Sequence, residues 1–252
     1  MNEWTREETI VAFNVYCKIP FKSSRKTHPM IIKYAKLLGR SSSALNMKVG
    51  NIGRLDPDLK ERGISGLIHG SKMEEEVWNE FYDNPELLAF ESEKIIAQRS
   101  HQSIEDSTAI QIDDLPQGLE RAAIIRQRVN QSFFRSAVTS AYNFKCCISG
   151  IKSPQLVEAC HILDWHKDPN NRTNPKNGLC MNPFFHKAYD KHLLAITPDL
   201  SIIVSEELFQ SATEESFFNY LKEINGRKIL IPDKFLPQRD LLELRYNEFT
   251  NQ

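Results

Sequence analysis

Four of the seven histidines in this chain fall between positions 161 and 192, and two of them stand where they could do hydrolytic chemistry. His186 and Asp190 lie four residues apart in a stretch that opens at Pro183 and has the apolar spacing of a helix. At that spacing an imidazole and a carboxylate leave one helical face together, as a divalent cation requires. His161 lies upstream, where a strand-like run from Gln155 to Ile162 breaks into a loop rich in Asp, Asn, Pro and charge. Imidazole has an ordinary pKa of about 6.5, so it can take a proton from water near neutrality. A hard cation such as Mg²⁺ keeps several waters, and one or two protein ligands suffice to hold it. Base and cation together suit hydrolysis of a phosphodiester, in which charge growing on the phosphate and the departing oxygen must be offset.

The elements that must position these groups follow from local pattern. Residues 144–148 and 155–162 read as short strands joined by a turn at Gly150 and Pro154; a long loop runs from Asp164 to Asn177. Gly178-Leu-Cys-Met181 resumes an extended piece, and the helix from Pro183 follows. Strand alternation puts Glu158 on the face opposite His161, which favours a structural role for that carboxylate. His166, His192 and Trp165 read as surface or packing residues. The tail offers strands at 193–197 and 201–205, a further extended piece at 229–231, and helices at 215–224 and 239–249.

Upstream the chain is helical. Thr5 with Glu7 and Glu8 caps an apolar stretch at Ile10, Val11, Phe13 and Val15. His28-Pro29 opens a second helix, Gly39 ends it, and Ser41 to Ser43 cap a third. The latter pair is compatible with a helix-turn-helix flanked by Arg40, Lys48 and Arg54; an ordinary helical hairpin has the same pattern. Another helical stretch spans Met73 to Glu93, broken near Pro85. Residues 96–120 are polar and acidic and read as a linker, followed by a basic helix.

The net charge of −1 hides an uneven distribution. Lys and Arg outnumber Asp and Glu by 11 to 4 over residues 121–192, and no acid stands between Glu8 and Asp56, where nine cations fall. A polyanionic partner is compatible with both territories, since phosphate contact rewards positive charge. The five cysteines have no CxxC pair and read as reduced, buried thiols, so no structural zinc is expected. No run approaches the roughly 18 apolar residues of a membrane span, and the N-terminus lacks a signal-peptide pattern. A cytoplasmic location without membrane contact is therefore the expectation.

Five separated blocks resemble the HNH nuclease domain: Phe134-Arg135; Lys145-Cys146 with Ser149-Gly150; Glu158-Ala-Cys-His161-Ile-Leu-Asp-Trp165; Arg172 with Pro175-Lys-Asn177-Gly178-Leu; and His186-Lys-Ala-Tyr-Asp190. Within that family they are closest in pattern to bacterial restriction endonucleases. WTREET, Tyr16-Cys-Lys-Ile-Pro-Phe21 and Leu38-Gly-Arg-Ser41 are similar to the N-terminal domain that accompanies those nucleases. The resemblance implies a ββα-metal fold, with His161 as general base, Asn177 holding the loop and His186 ligating the metal. Asp190 would be a second ligand. Arg172 is expected to grip a phosphate, with Arg40 and Lys48 contacting DNA from the N-terminal unit. One position departs from the pattern: many family members carry Asp before the catalytic His, whereas this chain has Cys160, a poor ligand for Mg²⁺. Either Cys160 is packed and Asp190 replaces the carboxylate, the reading adopted here, or the site prefers a softer ion.

The expected fold is α+β: a helical, DNA-binding-like domain over 1–95, a linker over 96–120, and an HNH nuclease domain over 121–252. The nuclease core spans 142–192 and carries a mixed C-terminal extension. The expected activity is Mg²⁺-dependent cleavage of double-stranded DNA in restriction or defence, with Mn²⁺ or Ni²⁺ as alternative ions. A single such centre cuts one strand, which predicts a homodimer for double-strand cleavage. The alternatives are a DNA-binding regulator without cleavage activity and a low-specificity, toxin-like nuclease.

Overall fold

The computed structural model describes residues 3–64, 70–108 and 118–251. Helix α1 (Arg6–Lys18) starts at a capping box in which Thr5 and Glu8 exchange side-chain to backbone hydrogen bonds. It is buried nearly all round through Ile10, Val11, Phe13, Val15 and Tyr16, so it forms the axis of the N-terminal unit rather than a surface helix. Around it pack α2 (Pro29–Leu37), α3 (Ser42–Gly53), α4 (Pro57–Glu61), α5 (Lys72–Phe81) and α6 (Pro85–Arg99). Pro29, Pro57 and Pro85 each sit in the first turn, where a missing N–H costs nothing.

Within the expected linker, α6 runs on to Arg99 and α7 (Ile104–Thr108) follows, while residues 109–117 lie outside the described residues. Helix α8 (Leu119–Ala141) is the common wall of the molecule. Its buried side chains include Val129, Phe133, Phe134, Ala137 and Val138; α1 and α6 pack against it, and so does the sheet that carries the site.

That sheet is the antiparallel pair β1 (Glu158–His161) and β2 (Gly178–Met181), with Cys160 opposite Leu179 and His161 opposite Gly178. The partner of β1 is thus the piece beyond the long loop, and not the run at 144–148 that the sequence pattern suggests. Of that run, an isolated bridge joins Lys145 and Lys152, and the Cys147 amide donates to the Cys180 carbonyl. The partner strand also fits closely against α8: at Gly178 a methyl group would collide with Val138 and press on Phe134 and the Pro175 carbonyl. Only glycine lets β2 lie flush against α8.

Helix α9 (Pro183–Asp190) follows directly, its first turn capped by the Asn182 side chain, which accepts from the Phe185 amide at 2.9 Å. A second hairpin, β3 (Leu194–Ile196) with β4 (Ile202–Val204), leads to α10 (Glu206–Ser211), α11 (Glu215–Ile224) and α12 (Arg239–Thr250). Residues 229–231 form no strand; the Leu230 amide instead donates to the Cys147 carbonyl at 2.8 Å.

The segment between α11 and α12 ties the two halves together. The buried Lys234 ammonium donates to the carbonyls of Tyr16, Cys17 and Ile19, which close the last turn of α1. Asp233 accepts from Asn143 at 2.7 Å and pairs with Lys22 at 2.9 Å, and Arg62 donates to the Pro232 carbonyl at 2.7 Å. Among the described residues no helix is long and apolar enough to cross a membrane.

Candidate active site

His161 closes β1, directly after buried Cys160 and three residues after Glu158. His161 stacks on Phe134 of α8, the rings 3.8 Å apart and 4° from parallel, and meets the edge of Trp165. Its Nε2 lies 2.9 Å from the backbone carbonyl of Arg172. A carbonyl can only accept, so Nε2 carries the proton and Nδ1 keeps its lone pair. Burial disfavours the imidazolium and lowers the pKa of His161 below its ordinary value, despite the carbonyl bond and nearby Asp164. Burial thus favours the neutral ring, with Nε2 as the donor and the lone pair on Nδ1.

The loop that supplies the carbonyl is held by two residues. Asn177 is fully buried; its Oδ1 accepts from the Leu163 amide at 2.9 Å, and its Nδ2 donates to the carbonyls of Leu163 and Asn171. The Asn177 carbonyl accepts from the Ile162 amide as well. These bonds close the loop against the end of β1, directly after His161. Arg172 donates from Nε to the Trp165 carbonyl at 2.6 Å and lays its guanidinium over the Trp165 ring.

His186 from α9 approaches Glu158, with Nδ1 2.7 Å from Oε2. Nδ1–H donates to the carboxylate, which leaves Nε2 free to face Asp190, 3.6 Å away at Oδ2. This carboxylate–histidine pair fixes the ring and its tautomer in the way that supports metal-ligating histidines. Donor atoms of Cys160, His186 and Asp190 all lie within 4.8 Å of one another. Asp190 is half exposed, and His186 is partly so, which leaves room for water ligands on the open side. Cys160 is fully buried, and burial together with the nearby Asp190 charge holds its thiol pKa well above the ordinary value. Cys160, His186 and Asp190 are the residues that could hold a metal ion here.

His161, Trp165 and His186 line two adjoining depressions. One, of about 350 Å³, adds Asp164, Lys187, Asp190, Lys191 and Arg245. The other, of about 400 Å³, adds Gln131, Phe134, Arg135, Ala159 and Glu158.

Arg40 and Lys48 are not beside these residues. Lys48 is only 5% exposed and pairs with buried Glu74 at 2.5 Å, while Arg40 pairs with Glu8 at 2.7 Å. Both cations also cover the ring of Trp4. Sequence reasoning favoured a structural role for Glu158 and did not foresee its bond to His186, nor the Arg172 carbonyl and the Phe134 ring beside His161. The strand position of Glu158 relative to His161 was readable; its bond to a helix 28 residues later was not.

Residues 146–197 match the family model described as HNH endonuclease. The matched segment runs from the turn before β1 through α9 to β3, so it contains each residue of the centre just described except those of α8 and the C-terminal tail. The chain carries an HNH endonuclease domain. No curated protein matches it.

Proposed function

We propose that the protein is a divalent-metal-dependent DNA endonuclease in which His161 Nδ1 accepts the proton of the attacking water. The observation that carries this reading is the bond from His161 Nε2 to the Arg172 carbonyl, which leaves the lone pair on the open nitrogen. In the reaction, the water oxygen forms a bond to phosphorus, its proton passes to Nδ1, and the bond from phosphorus to the 3′ oxygen breaks. His186 Nε2 and Asp190 would hold the cation, Mg²⁺ for preference, with Mn²⁺ or Ni²⁺ as substitutes. A bound divalent ion offsets the charge that grows on the phosphate and the leaving oxygen. Glu158 keeps His186 in register, and Asn177 keeps the Arg172 carbonyl in place behind His161.

A single centre cuts one strand, which supports action as a homodimer when both strands are cut. The helical unit over residues 1–95 is assigned to site selection, and the biological role to restriction or defence. The all-reduced set of buried cysteines supports a cytoplasmic setting. The test is incubation of supercoiled plasmid with the protein and Mg²⁺, Mn²⁺, Ni²⁺ or EDTA. Nicked or linear product with a divalent ion and none with EDTA is the expected result. Intact plasmid under every metal condition overturns the reading.

A further inference from the structure

Most arginines of the described residues are already answered by a carboxylate or carbonyl: Arg54 by Glu74 and Glu75, Arg126 by Glu86, Arg121 by Glu105, Arg245 by Glu248 and the Tyr189 carbonyl. Three exposed cations that border the two depressions are different. Arg135 on α8, Lys187 on α9 and Lys191 just past the end of α9 have no acidic partner among the described residues. Lys187 and Lys191 stand four apart on one face, where like charges repel unless an anion lies between them. The carboxylates nearby do not serve them. Glu158 is held by His186, Asp164 accepts from the His166 amide, and Asp190 faces His186.

The positions matter as much as the charges. Arg135 borders the depression on the α8 side of His161 and His186, beside Gln131 one helical turn earlier. Lys187 and Lys191 border the depression on the α9 side of the same two histidines. We infer that a DNA strand crosses the centre along this line, its phosphates gripped by Arg135 on one side of the scissile bond and by Lys187 and Lys191 on the other. Gln131 supplies a neutral donor beside Arg135. The strand's grip then comes from the nuclease domain itself, while Arg40 and Lys48 stabilise the N-terminal unit from inside. The inference rests on the nuclease reading and adds the substrate contacts to it.

Binding of a fluorescent DNA duplex in EDTA, followed by anisotropy over a salt series, separates this from catalysis. Each lost phosphate contact lowers the slope of log affinity against log salt by about one. The triple substitution Arg135→Ala, Lys187→Ala, Lys191→Ala should reduce the slope by about two to three and weaken binding about tenfold or more at physiological salt. Arg135→Glu alone should weaken binding further than Arg135→Ala. Lys222→Ala, on α11, should leave both quantities unchanged. All three sites of the triple variant are exposed, so an unchanged thermal transition should accompany the loss. A wild type that nicks plasmid and binds duplex, beside a triple variant with the same salt slope, overturns the track alone. A wild type that neither nicks nor binds overturns the nuclease reading and the track with it.

Discussion

The division of labour between the two imidazoles is set by what each pairs with. His161 gives its Nε2 proton to a backbone carbonyl and keeps a free Nδ1; His186 gives its Nδ1 proton to Glu158 and keeps a free Nε2. Glu158 therefore acts through His186, and Glu158→Ala should weaken divalent-ion binding by about 10- to 100-fold in calorimetry. An unchanged metal affinity would reduce Glu158 to a surface charge. Cys160 is a separate case. Its thiol is buried, and Cys160→Ala should retain Mg²⁺-supported nicking within about threefold, since a thiol contributes little to a hard ion's shell. Loss of Mg²⁺ binding in that variant would show that the sulfur is a ligand after all. At this scale the common face of His186 and Asp190 was legible from their spacing. Glu158 was not, because a strand-to-helix hydrogen bond leaves no periodic trace. The burial of Lys48 was equally hidden: a cation in an acid-free interval looks solvated until Glu74, from another helix, is folded onto it.

At the scale of elements, the centre depends on β1, β2 and α9 being pressed against α8. Gly178→Ala would force Val138 and Phe134 aside and should cost about 1–3 kcal/mol in denaturant unfolding. Asn177→Ala would strip three backbone groups of their partner and should cost on the order of 2–4 kcal/mol while also loosening the loop behind His161. A variant as stable as wild type would contradict the clamp. Helix α9 was readable, since Pro183 marks its start and apolar spacing marks its face. So were the hairpin at 194–204 and helices α11 and α12 of the tail, while the short α10 was not. The pairing of β1 with β2 was not, because the sequence holds two extended runs that could pair with it, and local pattern does not choose between them.

For the whole molecule, the segment from Pro232 to Leu236 links the C-terminal extension to α1 and α4. Lys234→Met should destabilise the fold, as it leaves the carbonyls that end α1 without their donor. Burial lowers the Lys234 pKa to about 8 from the ordinary lysine range. Between that value and the unfolded one the unfolded chain binds more protons, so this group's contribution to stability rises with pH. The stability advantage of wild type over Lys234→Met should therefore widen from neutral pH towards pH 10, and a narrowing advantage would mean that the carbonyls favour the charged form. The whole arrangement, from α1 through α8 to the tail, exists in this account to present one base beside one metal site. The most direct test is single-turnover nicking of supercoiled plasmid by wild type and His161→Ala, with metal affinity measured on the same preparations. A loss of about 10²- to 10⁴-fold in rate with unchanged metal affinity is the expected result. Nicking by His161→Ala at close to the wild-type rate would contradict the account.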